Sequence, residues 1–259
     1  MRTRTWLLVA APALILSLAL LGEAAADEIG DDTSAPPPRP AVSPGTLRGE
    51  RAARWRLVLG RSVQGRLIVA ERLGDPRSER PTLVVGCIHG NEPAGIAIAR
   101  DLIADPSPRG ESLLVIPVLN PDGVAAMTRQ NAHGIDLNRN FPWRWRHLGG
   151  VFDSGPHPLS EPESRITQRF ILQHRPVISI WFHQHADLVD ASGGTVAIER
   201  RYARLTHMQL RRLTRYPGSP VGWENHVMPG TTAFVVELRA GRLSPAAVEL
   251  FSDAILRLI

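Results

Sequence analysis

The amino-acid sequence predicts an α/β fold, a single domain in which one sheet is covered by helices on both faces. Short, continuous apolar runs at 83–87, 113–119 and 177–182 have the length and composition of buried parallel strands. Stretches with helical spacing alternate with these runs, as expected for this class of fold. The 259 residues and the hydrophobic content of 43% are enough for one sizeable core.

Residues 1–26 have the pattern of a secretory signal peptide. Arg2 and Arg4 form a basic start, an uncharged apolar stretch runs over 6–21, and the alanines at 24–26 provide a cleavage site. The apolar stretch is shorter than the roughly 20 residues of a membrane span, so we expect cleavage and no stable span afterwards. This pattern predicts a secreted, periplasmic or cell-wall-associated protein.

The next segment, 27–46, is predicted to be a disordered linker, because it is rich in proline and has almost nothing to bury. The folded domain is expected to occupy residues 47–259. Its composition argues against a nucleic-acid-binding protein and against a fold stabilised by disulfides. The 30 basic residues are all arginine and lack the interleaved aromatic residues of a nucleic-acid surface, so we expect no nucleic-acid partner. Cys87 is the only cysteine, so no internal disulfide can form.

The elements of the folded domain follow from apolar runs and helical spacing. The predicted strands are 55–59, 66–73, 83–87, 113–119, 177–182, 195–198 and 232–238. The predicted helices are 94–104, 160–174, 202–213 and 244–259. The first two strands are expected to form an antiparallel pair, since a turn from Gly60 to Gly65 joins them.

Local signals support the helix starts and the loops. Pro93 suits the first turn of the first helix, and Ser160 with Glu163 three residues later has the pattern of a capping box. The segment 120–123, Asn-Pro-Asp-Gly, predicts a turn. The long irregular stretch 125–158 is typical of a functional or disordered loop.

Two predicted strands end in residues that can bind a metal ion. His89 and Glu92 follow the strand 83–87, at the edge where open α/β sheets bind their ligands. His183 ends the strand 177–182, so the three side chains meet if the two strands are neighbours. Two histidines and a glutamate with one open position are typical of a hydrolytic zinc site. His185 is an alternative to His183 because residues two apart in a strand point the same way, and ordinary hydrogen-bonded histidines remain a further alternative.

Glu237 lies in the apolar strand 232–238, where a carboxylate is costly to bury unless it is paired or near a metal. A general base beside a metal-activated water fits this position, and an ion pair with an arginine is the alternative. The segment 136–142 provides Arg139, whose planar fork can bind a free carboxylate, and Asn138, an amide donor.

Such a carboxylate site indicates an enzyme that acts at or near chain ends. Arg129, a short distance upstream, can stabilise a developing oxyanion. The alternative for each of these three polar residues is an ordinary surface position.

Taken together, five motifs resemble the zinc carboxypeptidase family. They are His89-Gly-Asn-Glu92, Asn120-Pro-Asp-Gly123, Asp136-Leu-Asn-Arg-Asn-Phe-Pro142, a later strand that ends in His183, and Glu237 in Val-Glu-Leu. The match runs in order over roughly residues 55–259, and the set is specific although each motif alone is weak. The resemblance implies a mixed, mostly parallel sheet of eight strands, and 47–259 would be the catalytic domain.

The resemblance also implies one Zn²⁺ and a role for each motif residue. His89, Glu92 and His183 would bind zinc, which favours His183 over His185. Glu237 would be the general base and acid, and Arg129 would polarise the scissile carbonyl. Asn138, Arg139 and Tyr216 would bind the substrate, Tyr216 from a mobile loop.

The compact layout most resembles bacterial members that cleave cell-wall peptides, such as the murein peptide amidases, which cut the γ-D-glutamyl–diaminopimelate bond. The resemblance thus predicts a monomeric, secreted zinc metallocarboxypeptidase whose substrate is a peptide or muropeptide with a free carboxylate. The resemblance places the residue that faces the substrate side chain near Val221, and an apolar residue at that position would argue against a pocket for basic side chains. The alternative is an N-acyl-amino-acid deacylase of the aspartoacylase or succinylglutamate desuccinylase type, and a wall-binding module without a working metal site is a further one.

Overall fold

The computed structural model describes residues 54–104, 112–191, 193, 196–213 and 216–259. The predicted signal peptide, linker and domain boundary at residue 47 lie outside these residues. The strands are β1 Arg54–Arg61, β2 Leu67–Gly74, β3 Thr82–Val85, β4 Ser112–Ile116, β5 Ile178–Asp190, β6 Gln209–Arg211 and β7 Thr232–Arg239. The helices are α1 Gly95–Ala104, α2 Pro121–Ala126, α3 Pro162–His174, α4 Val196–Leu205, α5 Pro220–Val227 and α6 Pro245–Leu256. Two short 3₁₀ helices span Leu137–Arg139 and Gly150–Phe152.

The described strands form one mixed, mostly parallel sheet. β1 pairs antiparallel with β2, as predicted, and β2 pairs antiparallel with β4. The pairings of β4 with β3, β3 with β5, β5 with β7 and β5 with β6 are parallel. The predicted α/β class is therefore confirmed.

The core lies on both faces of this sheet. Along β3, Leu83 and Val85 belong to one hydrophobic cluster, whereas Val84 between them belongs to the other. This alternation is the two-residue period of a strand that is buried on both sides. Helices α1, α4 and α6 contribute to the cluster around Val84, and α3 and α5 contribute to the cluster around Leu83. Helices thus cover both faces, as predicted.

Strand β5 reverses direction within its own length. His183 and Gln184 pair with Glu237 and Leu238 in the parallel sense, but Leu188 pairs again with Glu237 and the register then runs backwards along β7. The reversal passes Asp187, whose φ of 55° lies in the left-handed region. Counted as continuous elements, the described residues form seven strands. The expected number of eight strands is therefore not observed among these residues.

Two predicted elements in the second half of the chain are wrong. The predicted strand 195–198 overlaps the start of helix α4, and the predicted helix 202–213 ends at Leu205 and is followed by strand β6. Short apolar runs have the same composition in helices and strands, so periodicity cannot separate them. His207, with φ 57°, marks the change of direction after α4.

Helix termini also differ from the prediction. Ser160 is not the cap of α3, because the helix begins at Pro162 and the Ser160 hydroxyl donates to Glu161 Oε1 at 2.8 Å. The carboxylate of Glu163 instead accepts from the backbone amide of Val63 at 3.0 Å. The predicted turn 120–123 is the start of helix α2, where the Asn120 side chain accepts from Gly123 N.

Candidate metal centre

A tight turn directly after β3 positions the first two candidate ligands. The amide of Glu92 donates to the His89 carbonyl at 3.0 Å, which closes the turn before α1 begins. Gly90 packs against the backbone of α2, since a Cβ added there would lie 1.8 Å from the carbonyl carbon of Gly123. Only glycine permits this approach, and it fixes how far the turn lies from α2.

The third candidate ligand comes from the neighbouring strand. β5 lies parallel to β3, and His183 emerges near the end of their paired segment. His89 Nδ1 lies 2.9 Å from Glu92 Oε2, and His183 Nδ1 lies 3.1 Å from His89 Nδ1 and 3.0 Å from Glu92 Oε2. All three residues are buried, whereas the rival His185 is exposed. The structure therefore brings together the three residues expected from the sequence and leaves His185 outside.

This donor set fits zinc. Among the described residues it is the only group of three or more potential ligands whose donor atoms converge. Zinc bonds of about 2.0–2.1 Å in a tetrahedral site place neighbouring donor atoms roughly 3.3 Å apart, so the observed donors need to separate by only a few tenths of an ångström. Three protein donors leave one position for water or substrate, which is the arrangement of catalytic zinc.

Asp136 orients the metal centre, a role that we did not assign from the sequence. Its Oδ1 lies 3.0 Å from His89 Nε2, and its Oδ2 accepts from Arg129 Nε at 2.9 Å. A carboxylate that holds Nε2–H leaves Nδ1 of the same ring free to bind a metal. Asp136 begins the polar segment 136–142, and its place beside two predicted functional residues was the available signal.

The charges of these groups support one another. Burial alone would raise the pKa of Glu92, but hydrogen bonds and charge from His183 and His89 outweigh it and hold the pKa far below its ordinary value. Burial likewise opposes ionisation of Asp136, and contact with His89 and the charges of Arg129 and Arg139 hold its pKa low. Both carboxylates are thus ionised, as a cation site requires.

Burial together with the charge of Glu92 raises the pKa of Cys87 to about 12. Its thiol therefore stays protonated and packed in the core, as the sequence indicates for this lone cysteine.

Glu237 faces the same site from strand β7. It pairs in register with His183, so the two residues are direct neighbours across the sheet. Its half-buried side chain lines the cleft beside the metal centre. No hydrogen bond or ion pair joins its carboxylate to another described residue, so the arginine partner considered as an alternative is not observed there.

The predicted carboxylate-binding residues lie on one wall of the cleft. Arg139 is 3% exposed, and its Nη1 donates to the carbonyl of Asn138 at 2.7 Å. Its guanidinium lies 4.3 Å from the ring centre of the exposed Tyr216. The loop that carries Tyr216 is packed against this wall, because the amide of Phe141 donates to the carbonyl of Gly218 at 2.8 Å.

Arg129 is already engaged at the metal centre. Besides Asp136 it contacts Glu92 Oε1 at 2.9 Å, through Nη1. The guanidiniums of Arg129 and Arg139 lie 5.3 Å and 5.4 Å from the ring centre of Phe152, which sequence reasoning did not single out. Phe152 lies in the long irregular stretch, where no local sequence pattern predicts its contacts with Arg129 and Arg139.

One cavity of about 700 Å³ joins these groups. Its lining includes Glu92, His183 and Glu237 of the metal centre together with the predicted substrate-binding residues Asn138, Arg139 and Tyr216. Helix α5, which we did not predict, contributes the buried Val221 to the same lining. One small ligand in this cavity could therefore contact the candidate metal centre, the carboxylate of Glu237 and the arginines of the lining.

Comparisons with known proteins agree with this geometry. The model of the zinc carboxypeptidase family matches residues 47–197. Murein peptide amidase A of Escherichia coli strain K12 is 28% identical over 156 residues, which is 53% of this chain and 64% of the amidase. The catalytic chain of human carboxypeptidase N is 29% identical over 203 residues, 62% of this chain and 42% of that protein. The matches thus span less than two thirds of the length of either relative.

Solved structures show the same fold. Murein-tripeptide amidase MpaA from Escherichia coli O157 superposes with a TM-score of 0.64 and 23% identity, over 78% of this chain and 90% of that one. Carboxypeptidase A from Helicoverpa armigera gives a TM-score of 0.67 and 18% identity, over 79% and 67% of the two chains. The family match covers more than half of the chain and includes the three candidate ligands, so this chain belongs to the zinc carboxypeptidase family.

Proposed function

We propose that this protein is a zinc metallocarboxypeptidase that hydrolyses a peptide or amide bond next to a free terminal carboxylate. The observation that carries this proposal is one cavity lined by Glu92 and His183 of the convergent donor set, by Glu237, and by Asn138 and Arg139. We further propose that its substrates are murein peptides and that the bond cut is γ-D-glutamyl–diaminopimelate. The similarity to murein peptide amidase A supports this choice.

His89, Glu92 and His183 would hold the zinc ion. Bound there, zinc would supply a Lewis acid and would make a water molecule more acidic. Asp136 fixes the His89 ring through Nε2, so that Nδ1 is directed to the ion. Glu92 is held between both histidines and Arg129, which keeps its carboxylate in place before any ion arrives.

Glu237 would move the proton. Its carboxylate is unpaired among the described residues and borders the cleft beside His183. It accepts a proton from the attacking water as the new C–O bond forms, and it gives that proton to the leaving amine as the C–N bond breaks. Its register with His183 places Glu237 next to a residue that would bind the metal.

Asn138, Arg139 and Tyr216 would orient the substrate. Arg139 and Asn138 bind the terminal carboxylate through a planar cation and an amide, and Tyr216 covers it. Arg129 stabilises the developing oxyanion, because its guanidinium lies at the cleft beside Glu92. Val221 makes the side-chain end of the cavity apolar at one point.

We propose a secreted, periplasmic or cell-wall-associated location, and a monomeric protein that does not bind nucleic acid. Support for export comes from the predicted signal in residues 1–26 and from the murein amidase relative. Among the residues that the structure describes, no helix has the length and apolar character needed to span a membrane.

Mass-spectrometric product analysis tests the proposed function. Zinc-loaded protein is offered the diaminopimelate-containing murein tripeptide together with a set of ordinary L-peptides. Release of diaminopimelate supports the murein assignment, and release of C-terminal L-amino acids alone makes the protein a general carboxypeptidase. Hydrolysis of acylated amino acids, with no product from either peptide class, would establish the deacylase alternative instead.

A further inference from the structure

We propose that Arg144 and Arg146 form a second carboxylate-binding site in the cleft, which selects substrates with two free carboxylates. This inference rests on the proposed function and extends it to substrate selection. The site is separate from Asn138 and Arg139, to which we assign the terminal carboxylate.

Four arginines line the cavity, but they differ in their partners. Arg129 is bound to Glu92 and Asp136, and Arg139 is buried against its own segment. Arg144 and Arg146 are exposed to the cavity, and neither forms an ion pair or a side-chain hydrogen bond with another residue in the described part of the chain. Their guanidinium groups are therefore available to a ligand.

The backbone under these two arginines is well anchored. Trp143 stacks on His226 with ring centres 3.3 Å apart and planes 18° apart, and its carbonyl accepts from Gly218 N at 3.0 Å. The guanidinium of Arg144 lies 5.4 Å from the centre of the Trp143 ring. The carbonyl of Arg146 accepts from the Ser154 hydroxyl at 3.0 Å. Because this backbone is fixed, only the two arginine side chains have to become ordered when a ligand binds.

The charge of the cavity favours a substrate with more than one anionic group. Among the described residues, its lining holds four arginines against three carboxylates, Glu92, Asp190 and Glu237. The ionised Asp136 adds one negative charge at Arg129, and a bound zinc ion would add two positive charges. One terminal carboxylate then compensates only part of the excess positive charge, whereas a substrate with a second carboxylate complements it. Arginine binds carboxylates through two parallel N–H···O bonds, so Arg144 and Arg146 would provide geometry as well as charge.

A murein tripeptide offers the second carboxylate at two places. One is the α-carboxylate of the D-isoglutamyl residue, and the other is the distal carboxylate of diaminopimelate. Replacing D-isoglutamate with γ-aminobutyrate removes the first, and replacing diaminopimelate with lysine removes the second. The complete tripeptide and these two analogues thus identify which carboxylate the site binds.

The test measures kcat/KM on the three peptides for wild-type protein, R144Q/R146Q and the control R200Q. Arg200 is an exposed arginine of helix α4 that does not line the cavity. The double variant is expected to lose about tenfold or more on the complete tripeptide and on the analogue that keeps the recognised carboxylate. On the other analogue it should match the wild type within about twofold, and R200Q should be unchanged on all three. An equal loss on all three peptides, or no loss on any, would overturn the proposal.

Two further measurements keep the result interpretable. Raising the salt concentration with wild-type protein should reduce its preference for the complete tripeptide over the less favoured analogue, because exposed charges are screened. A salt-independent preference contradicts the proposal without any variant.

If zinc-loaded protein hydrolyses none of the peptides, the proposed function fails. Calorimetric binding of the same peptides then decides the second site alone: a preference that R144Q/R146Q abolishes supports the site, and equal binding of all three overturns it.

Discussion

Glu237 is proposed to take part in catalysis but not in metal binding, so a variant can test the two functions separately. We expect Glu237→Gln to lower kcat by about 10²–10⁴ because the proton can no longer be accepted and passed on. Zinc content should remain that of the wild type, since the convergent donors do not include Glu237. Steady-state kinetics with elemental analysis of zinc measures both quantities. Glu249→Gln, an exposed position on α6, is the control, and full activity of the Glu237 variant would refute the assignment.

Asp136 acts on the metal centre through His89. In Asp136→Asn, the imidazole loses its charged partner at Nε2, so we expect zinc to bind about 10–100-fold more weakly. Competition with a chelator of known affinity measures this change without any assay of activity. Asp101→Asn, on the exposed side of α1, serves as the control. An unchanged zinc affinity in the Asp136 variant would show that the contact is not needed to orient the ring.

At the element scale, helix α5 is joined to strand β5 by one buried carboxyl group. Glu224 accepts from the Ser179 hydroxyl at 2.6 Å and from Trp181 Nε1 at 2.8 Å. Burial raises the pKa of Glu224 to about 7, and the two hydrogen bonds offset only part of this effect. The folded protein therefore holds a proton at pH values where the unfolded chain has lost it.

This proton makes stability depend on pH. Because the folded pKa is the higher one, the contribution of Glu224 is complete below pH 4.5 and declines as pH rises to about 7. Glu224→Gln should remove this decline. Above pH 7, the free energy of unfolding of the variant should exceed that of the wild type by up to about 3 kcal/mol. Denaturant unfolding at pH 5, 6, 7 and 8 measures the difference between the two proteins. Curves that stay parallel over this range would contradict the prediction.

Elements differ in how well the sequence predicts them. The strand that leads to His89 and the part of β5 that leads to His183 are apolar runs, so their nature and the positions of both histidines follow from local pattern. The predicted end of the second strand at 182 is wrong, because β5 continues to Asp190. Helix α5 contains Pro220 and Gly222 and has little helical periodicity, so nothing local distinguishes it from a loop. The segment 195–198 has no pattern that separates a buried helix from a strand.

At the scale of the whole molecule, the parts of the site that the sequence could not predict depend on long-range contacts. Asp136 meets His89 across 47 positions of the chain, and no spacing rule links them. The reversal of β5 depends on its register with β7, which is set only when the sheet is assembled. Arg144 and Arg146 differ from other surface arginines only in the cavity that they line. Local pattern identifies candidate ligands, whereas their supporting residues require the fold.

Metal binding should stabilise the assembled domain. The two histidine donors are 94 residues apart in sequence, so the unfolded chain presents no preformed zinc site. We expect zinc at about 100 times its dissociation constant to add about 3 kcal/mol to the free energy of unfolding. Denaturant unfolding with zinc, with chelator and with magnesium as a control measures this gain. Equal stability with zinc and with chelator would contradict zinc binding by the folded state.

The reversal in strand β5 has a consequence for how this architecture can diversify. The first segment of the strand carries His183, and the second carries Asp190, which also lines the cavity. The intervening bend is at the surface, where exposed Asp187 contacts Arg239 at 3.0 Å. Residues 185–187 do not line the cavity, so insertions at this bend can add surface structure while both segments keep their ladder with β7. Descendants of such a gene can therefore acquire new binding partners without rebuilding the chemistry.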